Sequence, residues 1–323
     1  MIVLTGAAGF IGSCILSVLN ASGKKDIVIV DELAGDADPK KKNLAGKEFT
    51  DFFDKKDFIK LIRDDKVKGN IDCVIHMGAC SSTTLQDAQY FEENNFLYSR
   101  DLAKWCLKRK VRLIYASSAA TYGDGSGGYN DADESTRRCR PLNLYGESKQ
   151  KFDLWVLDNG VIDKVVGLKF FNVFGPNEYH KGDMQSVVAK AYTRVASEGT
   201  MSLFKSYKKE YAHGEQKRDF IYIKDAVDIV MYFLNNSTLH GIYNVGTGKA
   251  RTWNDLAGAL FSSVGKKPNI EYVDMPPGLE QRYQYFTQAD MEKLRKTGYK
   301  KAMMTLEDSI KDYGKYLSQH AYL

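Results

Sequence analysis

At 323 residues the chain can bury a large core and has room for two domains. Hydrophobic residues make up 43% and charged residues 27%, which excludes a disordered chain; the formal charge of +5 permits an anionic substrate, but no basic-aromatic motif points to nucleic acid. No apolar run approaches a membrane span, the first strand leaves no room for a signal peptide, and the five cysteines form no Cys-x-x-Cys pair, so the expectation is a cytoplasmic protein with reduced thiols, no membrane contact and no metal framework.

The first element is the apolar run Ile2-Val3-Leu4, which reads as a buried parallel strand. Gly6, Gly9 and Gly12 follow at Gly-x-x-Gly-x-x-Gly spacing and lead into a helix that carries Ile11, Ile15, Val18 and Leu19 and stops near Gly23. Gly6 suits a tight turn, Gly9 a close approach to a pyrophosphate, and Gly12 close packing of helix on strand. The free N–H groups and positive end of that helix would face the phosphates. A second run, Asp26 to Val30, ends in Asp31, at the distance where an acid meets the adenosine ribose. A polar stretch from Glu32 to Lys42 follows; it reads either as a solvated loop or as the place where Lys40, with Lys55 further on, meets a 2′-phosphate. The run Cys73 to His76 then leads into Met77-Gly78-Ala79-Cys80-Ser81, whose small residues would floor a cleft for a flat ligand. A helical region opens at Asn94-Asn95, and Val111 to Ser118 forms the fourth strand. Strands alternating with helices in this way predict an α/β fold: a Rossmann-type, doubly wound parallel sheet, with ligands at the carboxyl ends of the strands.

The chemistry gathers where the fourth strand ends. Ser118 closes that strand, and Tyr145 and Lys149 stand four apart, on one face of a helix. A tyrosine is a poor base at neutral pH, but an ammonium one turn away and a nicotinamide cation would lower its pKa. Ser118 would hold the reacting hydroxyl while Tyr145 exchanges its proton. Further on, Val166 to Pro176 reads as a strand with a turn, Arg218 to Ile223 as a strand whose arginine suits a diphosphate, and Asp225 to Phe233 as a helix returning to the sheet. The helices near Trp253–Val264 and Thr305–Leu317 read as core, and Lys293 to Lys301 as a solvated basic face.

With these motifs the sequence resembles the extended short-chain dehydrogenase/reductase (NAD-dependent epimerase/dehydratase) family over essentially its whole length. Within that family it resembles the ADP-heptose 6-epimerase branch. The segments His76–Thr84, Tyr115–Gly123, His180–Met184 and Arg282–Asp290 carry this closer likeness. The resemblance implies a tightly bound NADP, one per chain, and inversion at carbon 6 of an ADP-heptose for lipopolysaccharide precursor synthesis. It also implies a homo-oligomer, specifically a homopentamer. Ser118, Tyr145, Lys149 and Lys181 are then the catalytic residues. The cofactor would be held by Gly6, Gly9, Phe10, Ile11, Gly12, Asp31, Glu32, Lys40, Lys55, Met77, Gly78, Ala79, Cys80, Ser81, Asn94 and Val173, with Tyr145, Lys149 and Lys181. The substrate would be held by Asn172, Asp183, Lys190, Phe204, Arg218 and Tyr283.

The sequence departs from the family pattern at the enlarged loop 205–217, and at Asp183 and Lys190, where Ser and His are usual. Lys181 reads either as a second proton-transfer base or as a phosphate holder. Residues 1–170 are expected to form the NADP-binding domain, with a return near 218–245, and residues 171–217 and 246–323 a smaller α/β substrate domain. Two other readings stay open: a related nucleotide-sugar 4-epimerase or 4,6-dehydratase, and a non-catalytic NADPH-sensing regulator. Ala119-Ala120 stands where a dehydratase would carry Asp-Glu, and the intact Ser118, Tyr145 and Lys149 argue against a regulator.

Overall fold

The computed structural model describes residues 1–280 and 283–323, so Arg282 of the fourth motif lies outside the described residues. In chain order the first half comprises β1 (Ile2–Thr5), α1 (Phe10–Ala21), β2 (Ile27–Asp31), β3 (Asp51–Asp54), α2 (Lys55–Arg63), β4 (Cys73–His76), α3 (Ala88–Phe91), α4 (Tyr98–Arg109), β5 (Arg112–Ser118), α5 (Asp133–Arg138), α6 (Leu144–Asp158) and β6 (Val165–Phe170). The second half adds β7 (Asn172–Phe174), α7 (Val187–Glu198), β8 (Met201–Phe204), β9 (Lys217–Tyr222), α8 (Ile223–Asn235), β10 (Gly241–Val245), β11 (Ala250–Thr252), α9 (Trp253–Ser263), β12 (Ile270–Val273), α10 (Glu292–Lys296) and α11 (Leu306–Gln319).

Seven strands form one parallel sheet in the order β10-β6-β5-β4-β1-β2-β3. Its strands are short apolar runs because both faces are covered. Alternation along β1 sends Leu4 into the layer under α1 and α8, and Val3 into the layer under α2, α4 and α6. The strand order reverses between β1 and β4, which makes their carboxyl ends the switch point where this class of sheet binds ligands. Beyond the sheet lie a three-stranded sheet, β11-β9-β7, and a parallel pair, β12-β8. Among the described residues no helix is long and apolar enough to cross a membrane.

Three expectations need correction here. The run from Val166 to Phe174 is not one strand: β6 pairs in the large sheet, whereas β7 leaves it after Phe171 and pairs with β9. The return to the large sheet accordingly starts later than 218, because β9 stays in the small sheet and only α8 and β10 go back. Lys293 also departs from the solvated face, since its ammonium donates to the carbonyls of Ile242 (2.8 Å) and Asp131 (3.1 Å).

Candidate active site

A cavity of about 780 Å³ opens at the switch point. Its floor is a turn built without side chains. Gly6 has φ +68°, and a Cβ there would lie 2.6 Å from the Gly78 nitrogen. A Cβ on Gly12 would lie 2.0 Å from the Gly6 carbonyl oxygen. Helix α1 starts directly from this turn, and no side chain caps its first N–H groups. Orphan donors at a helix N-terminus, beside a turn a Cβ would fill, suit a pyrophosphate.

Asp31 does not stand free at the end of β2. Its carboxylate accepts the Ala8 and Glu32 N–H groups, each at 2.8 Å, and the Lys40 ammonium at 2.9 Å. Lys55 lies 2.5 Å from the Glu32 carboxylate, which it holds below the usual range, and donates to Asn94 at 3.0 Å. Each acid that would repel a 2′-phosphate is thus matched by a lysine. The helical region expected from Asn94-Asn95 is present but begins earlier, at Ala88, and both residues sit in a wider π turn, Glu92–Leu97, between α3 and α4. Such turns often reposition side chains at functional sites. Here Asn95 bonds both backbone groups of Cys80, accepting its N–H at 2.8 Å and donating to its carbonyl at 2.9 Å, and so fixes the loop after β4.

On the other side of the cavity, Asn143 caps α6 by accepting the Gly146 N–H at 2.8 Å, which brings Tyr145 and Lys149 to the wall beside Ser118. The Lys149 ammonium donates to the Ala116 carbonyl at 2.8 Å, and burial pulls its pKa down to about 8. Burial pushes the Tyr145 phenol up, and the group that opposes this is the Ser118 hydroxyl. In the protein without nucleotide, where the Lys149 ammonium is engaged with a carbonyl, desolvation dominates at Tyr145; the expected lowering is by Lys149 together with a nicotinamide cation. Behind the cleft, the imidazole of His76 is set between Thr5 (2.6 Å) and Ser99 (2.9 Å), and burial lowers its pKa to about 3, so it stays neutral.

The third wall comes from β7 and the loop after it, with Asn172, Val173, His180, Lys181 and Met184. The Lys181 ammonium lies 5.2 Å from the Phe10 ring centroid and has no hydrogen-bond or carboxylate partner among the described residues. Burial lowers its pKa. Arg218, only 6% exposed, is flanked by Tyr283 (5.1 Å) and Trp253 (5.8 Å), and its guanidinium donates to the Lys217 carbonyl at 2.9 Å. Trp253 therefore lines the cavity as well as starting a core helix, which corrects its reading as core alone.

All the residues expected at the cofactor line this one cavity, together with Ser118, Asn172, Arg218 and Tyr283. Asp183, Lys190 and Phe204 do not. Gly182 turns the chain at φ +50°, leaving Asp183 exposed, and Lys190 donates to the Asp183 carbonyl at 2.5 Å. Phe204 ends β8, opposite Val273 of β12. Sequence reasoning missed Asn143, His180, Tyr90 and Tyr98. Only Asn143 carried a usable signal, as a helix N-cap two residues before Tyr145.

Comparison with known proteins agrees with this geometry. The ADP-L-glycero-D-manno-heptose-6-epimerase of Nitratidesulfovibrio vulgaris (strain DP4) is 49% identical over 97% of this chain and 96% of its own length. The protein of that name from Fusobacterium nucleatum is 46% identical over the same shares. Among solved structures, the Helicobacter pylori ADP-L-glycero-D-manno-heptose-6-epimerase superposes with TM-score 0.81 at 28% identity, covering 98% of this chain and 96% of that one. A UDP-glucose 4-epimerase from Thermus thermophilus, in complex with NAD, gives 0.75 at 26% identity, covering 98% of each chain. The model of the NAD dependent epimerase/dehydratase family matches residues 2–246, and the chain belongs to that family.

Proposed function

We propose that this chain interconverts ADP-D-glycero-D-manno-heptose and ADP-L-glycero-D-manno-heptose at carbon 6 through a transient ketone, with NADP as its resident cofactor. The observation that carries the reading is that two amines, the buried Lys149 beside Tyr145 and the half-buried Lys181 with no direct partner among the described residues, face one cavity from different walls. Inversion presents the sugar oxygen in two orientations, and proton transfer needs a reach of about 3 Å, so one group serves both poorly. Tyr145, oriented by Ser118, takes the proton in one orientation; Lys181 serves the other. Lys149 supplies positive charge to the phenolate, and Arg218, held between Tyr283 and Trp253, takes the diphosphate as a fork of donors. When bound, the dinucleotide supplies hydride acceptance and return and the positive charge of its oxidised ring. The Gly6–Gly12 turn and the first N–H groups of α1 would hold its pyrophosphate, and Lys40 and Lys55, which offset the charges of Asp31 and Glu32, would admit a 2′-phosphate.

The test is a direct assay. Purified protein incubated with ADP-D-glycero-D-manno-heptose should yield the L-glycero epimer by NMR without added oxidant, and denaturation should release NADP at close to one per chain. Recovery of NAD alone would overturn the cofactor reading, and turnover of UDP-hexoses in preference to the ADP-heptose would overturn the substrate reading.

A further inference from the structure

Behind Lys149, α6 and the sheet enclose a charged cluster that the proton transfer above does not use. Asp153 lies one turn beyond Lys149 on α6, Lys169 comes from β6, and both side chains are fully buried with Nζ 2.6 Å from Oδ2. A buried ion pair holds a fold together no better than well-packed apolar groups of the same volume, so packing alone does not call for charge here. The pair's other contacts lead to the site. Asp153 accepts the Tyr115 hydroxyl at 2.9 Å and the Ser117 hydroxyl at 2.7 Å. Lys169 also donates to the Thr121 hydroxyl at 2.8 Å, and Thr121 donates in turn to the Ser118 carbonyl at 2.8 Å. These bonds tie the strand end that carries Ser118 to the helix that carries Tyr145 and Lys149.

We propose that Asp153, with Lys169 as its counter-ion, is a positioning residue: one helical turn beyond Lys149 and bonded to Ser117 beside the Ala116 carbonyl that Lys149 reaches, it locks Ser118 and Lys149 into one arrangement. The inference rests on the reading of Ser118, Tyr145 and Lys149 given above. The groups facing Lys149 can be named from each element packed on it. Tyr145 and Asp153 share its helix, Cys80 lies on the loop after β4, and the neutral His76 is on β4. The Ala116 carbonyl comes from β5, and Lys169, already paired, from β6. Desolvation draws Lys149 down, and Asp153 is the first of the groups that work against it.

The decisive variant is Asp153→Asn, which keeps the shape and removes the charge. In the protein as purified, the Lys149 proton can be read from the pH dependence of its acetylation by acetic anhydride, followed by peptide mass. The midpoint is expected to fall by about one pH unit, and the alkaline limb of kcat in the holoenzyme to move the same way. Asp153→Asn leaves Lys169 buried and unpaired, so Asp153→Asn/Lys169→Met is made alongside it; that neutral pair is expected to fold and to shift Lys149 in the same direction. A folded variant with the Lys149 midpoint unmoved, or failure of both variants to fold, would overturn the proposal and leave the pair a purely structural tie. Failure of the underlying reading looks different: turnover would survive in Lys149→Ala, whatever the acetylation midpoint does in Asp153→Asn.

Discussion

Lys181 is the side chain on which the two-base mechanism turns. A half-buried amine above the Phe10 ring, with no carboxylate in direct contact among the described residues and burial outweighing the pull of Glu178, is costly to keep charged and is suited to giving up a proton. Lys181→Met should retain NADP and bind substrate nearly normally while epimerisation falls by roughly 10²-fold or more. A raised KM with unchanged turnover would instead make Lys181 a phosphate holder. Tyr145→Phe removes one oxygen and keeps the ring, so fold and cofactor should persist; a loss in kcat of about 10²–10⁴-fold is expected. Under tenfold, another group carries the proton. The pH profile follows from Lys149, whose pKa is lowered to about 8: its charge is present below that value and lost as pH rises through it, so kcat should decline on the alkaline side from about pH 8. A profile flat to pH 10 would contradict this. The Tyr145–Lys149 pair was legible because helical spacing alone puts both on one face. The exclusion of Asp183 was not, because it depends on a left-handed turn at Gly182 that redirects a loop with no periodicity to read.

The glycine turn between β1 and α1 shows how much of an element can be read in advance. Three glycines at fixed spacing, between an apolar run and a helical pattern, foretold a place where backbone meets backbone. The contact of Gly6 with Gly78 on the loop after β4 was not foretold, since it requires knowing which strands are neighbours. Gly12→Ala would set a Cβ against the Gly6 carbonyl, and backbone on both sides cannot move aside cheaply. A loss of about 1–3 kcal/mol in stability is expected, with dinucleotide affinity reduced further because the turn is displaced. Chemical denaturation and nucleotide titration would check this; an unchanged denaturation midpoint would mean that the helix shifts freely. The break between β6 and β7 was invisible for a related reason. The apolar run passes through Phe170 and Phe171, both buried, without a turn residue to mark the change of sheet. The π turn at Glu92–Leu97 is likewise set by the fit of Asn95 to Cys80, a contact between distant segments.

For the molecule as a whole, the parallel sheet and its switch point follow from the alternation of strands and helices, while the smaller sheets do not, because their strands pair across segments distant in sequence, β7 with β9 and β8 with β12. The central position of β1 carries a consequence for how the protein comes to be made. Ile2 pairs with Ile27, one helix away, on one side and with Cys73 on the other, so the second ladder of the first strand must wait for a partner further along the chain. The dinucleotide turn gains its second face only once β4 has docked, since Gly6 packs against Gly78. Nucleotide therefore finds its full turn only after β1 and β4 have paired. In kinetic terms, saturating NADP should slow unfolding by a large factor and leave the refolding rate essentially unchanged, which stopped-flow dilution from urea would measure. Faster refolding with nucleotide present would place the turn in the folding nucleus. If it is absent from that nucleus, the cofactor works as a brake on escape from the native state, and protein starved of it would be lost through faster opening rather than through failure to fold.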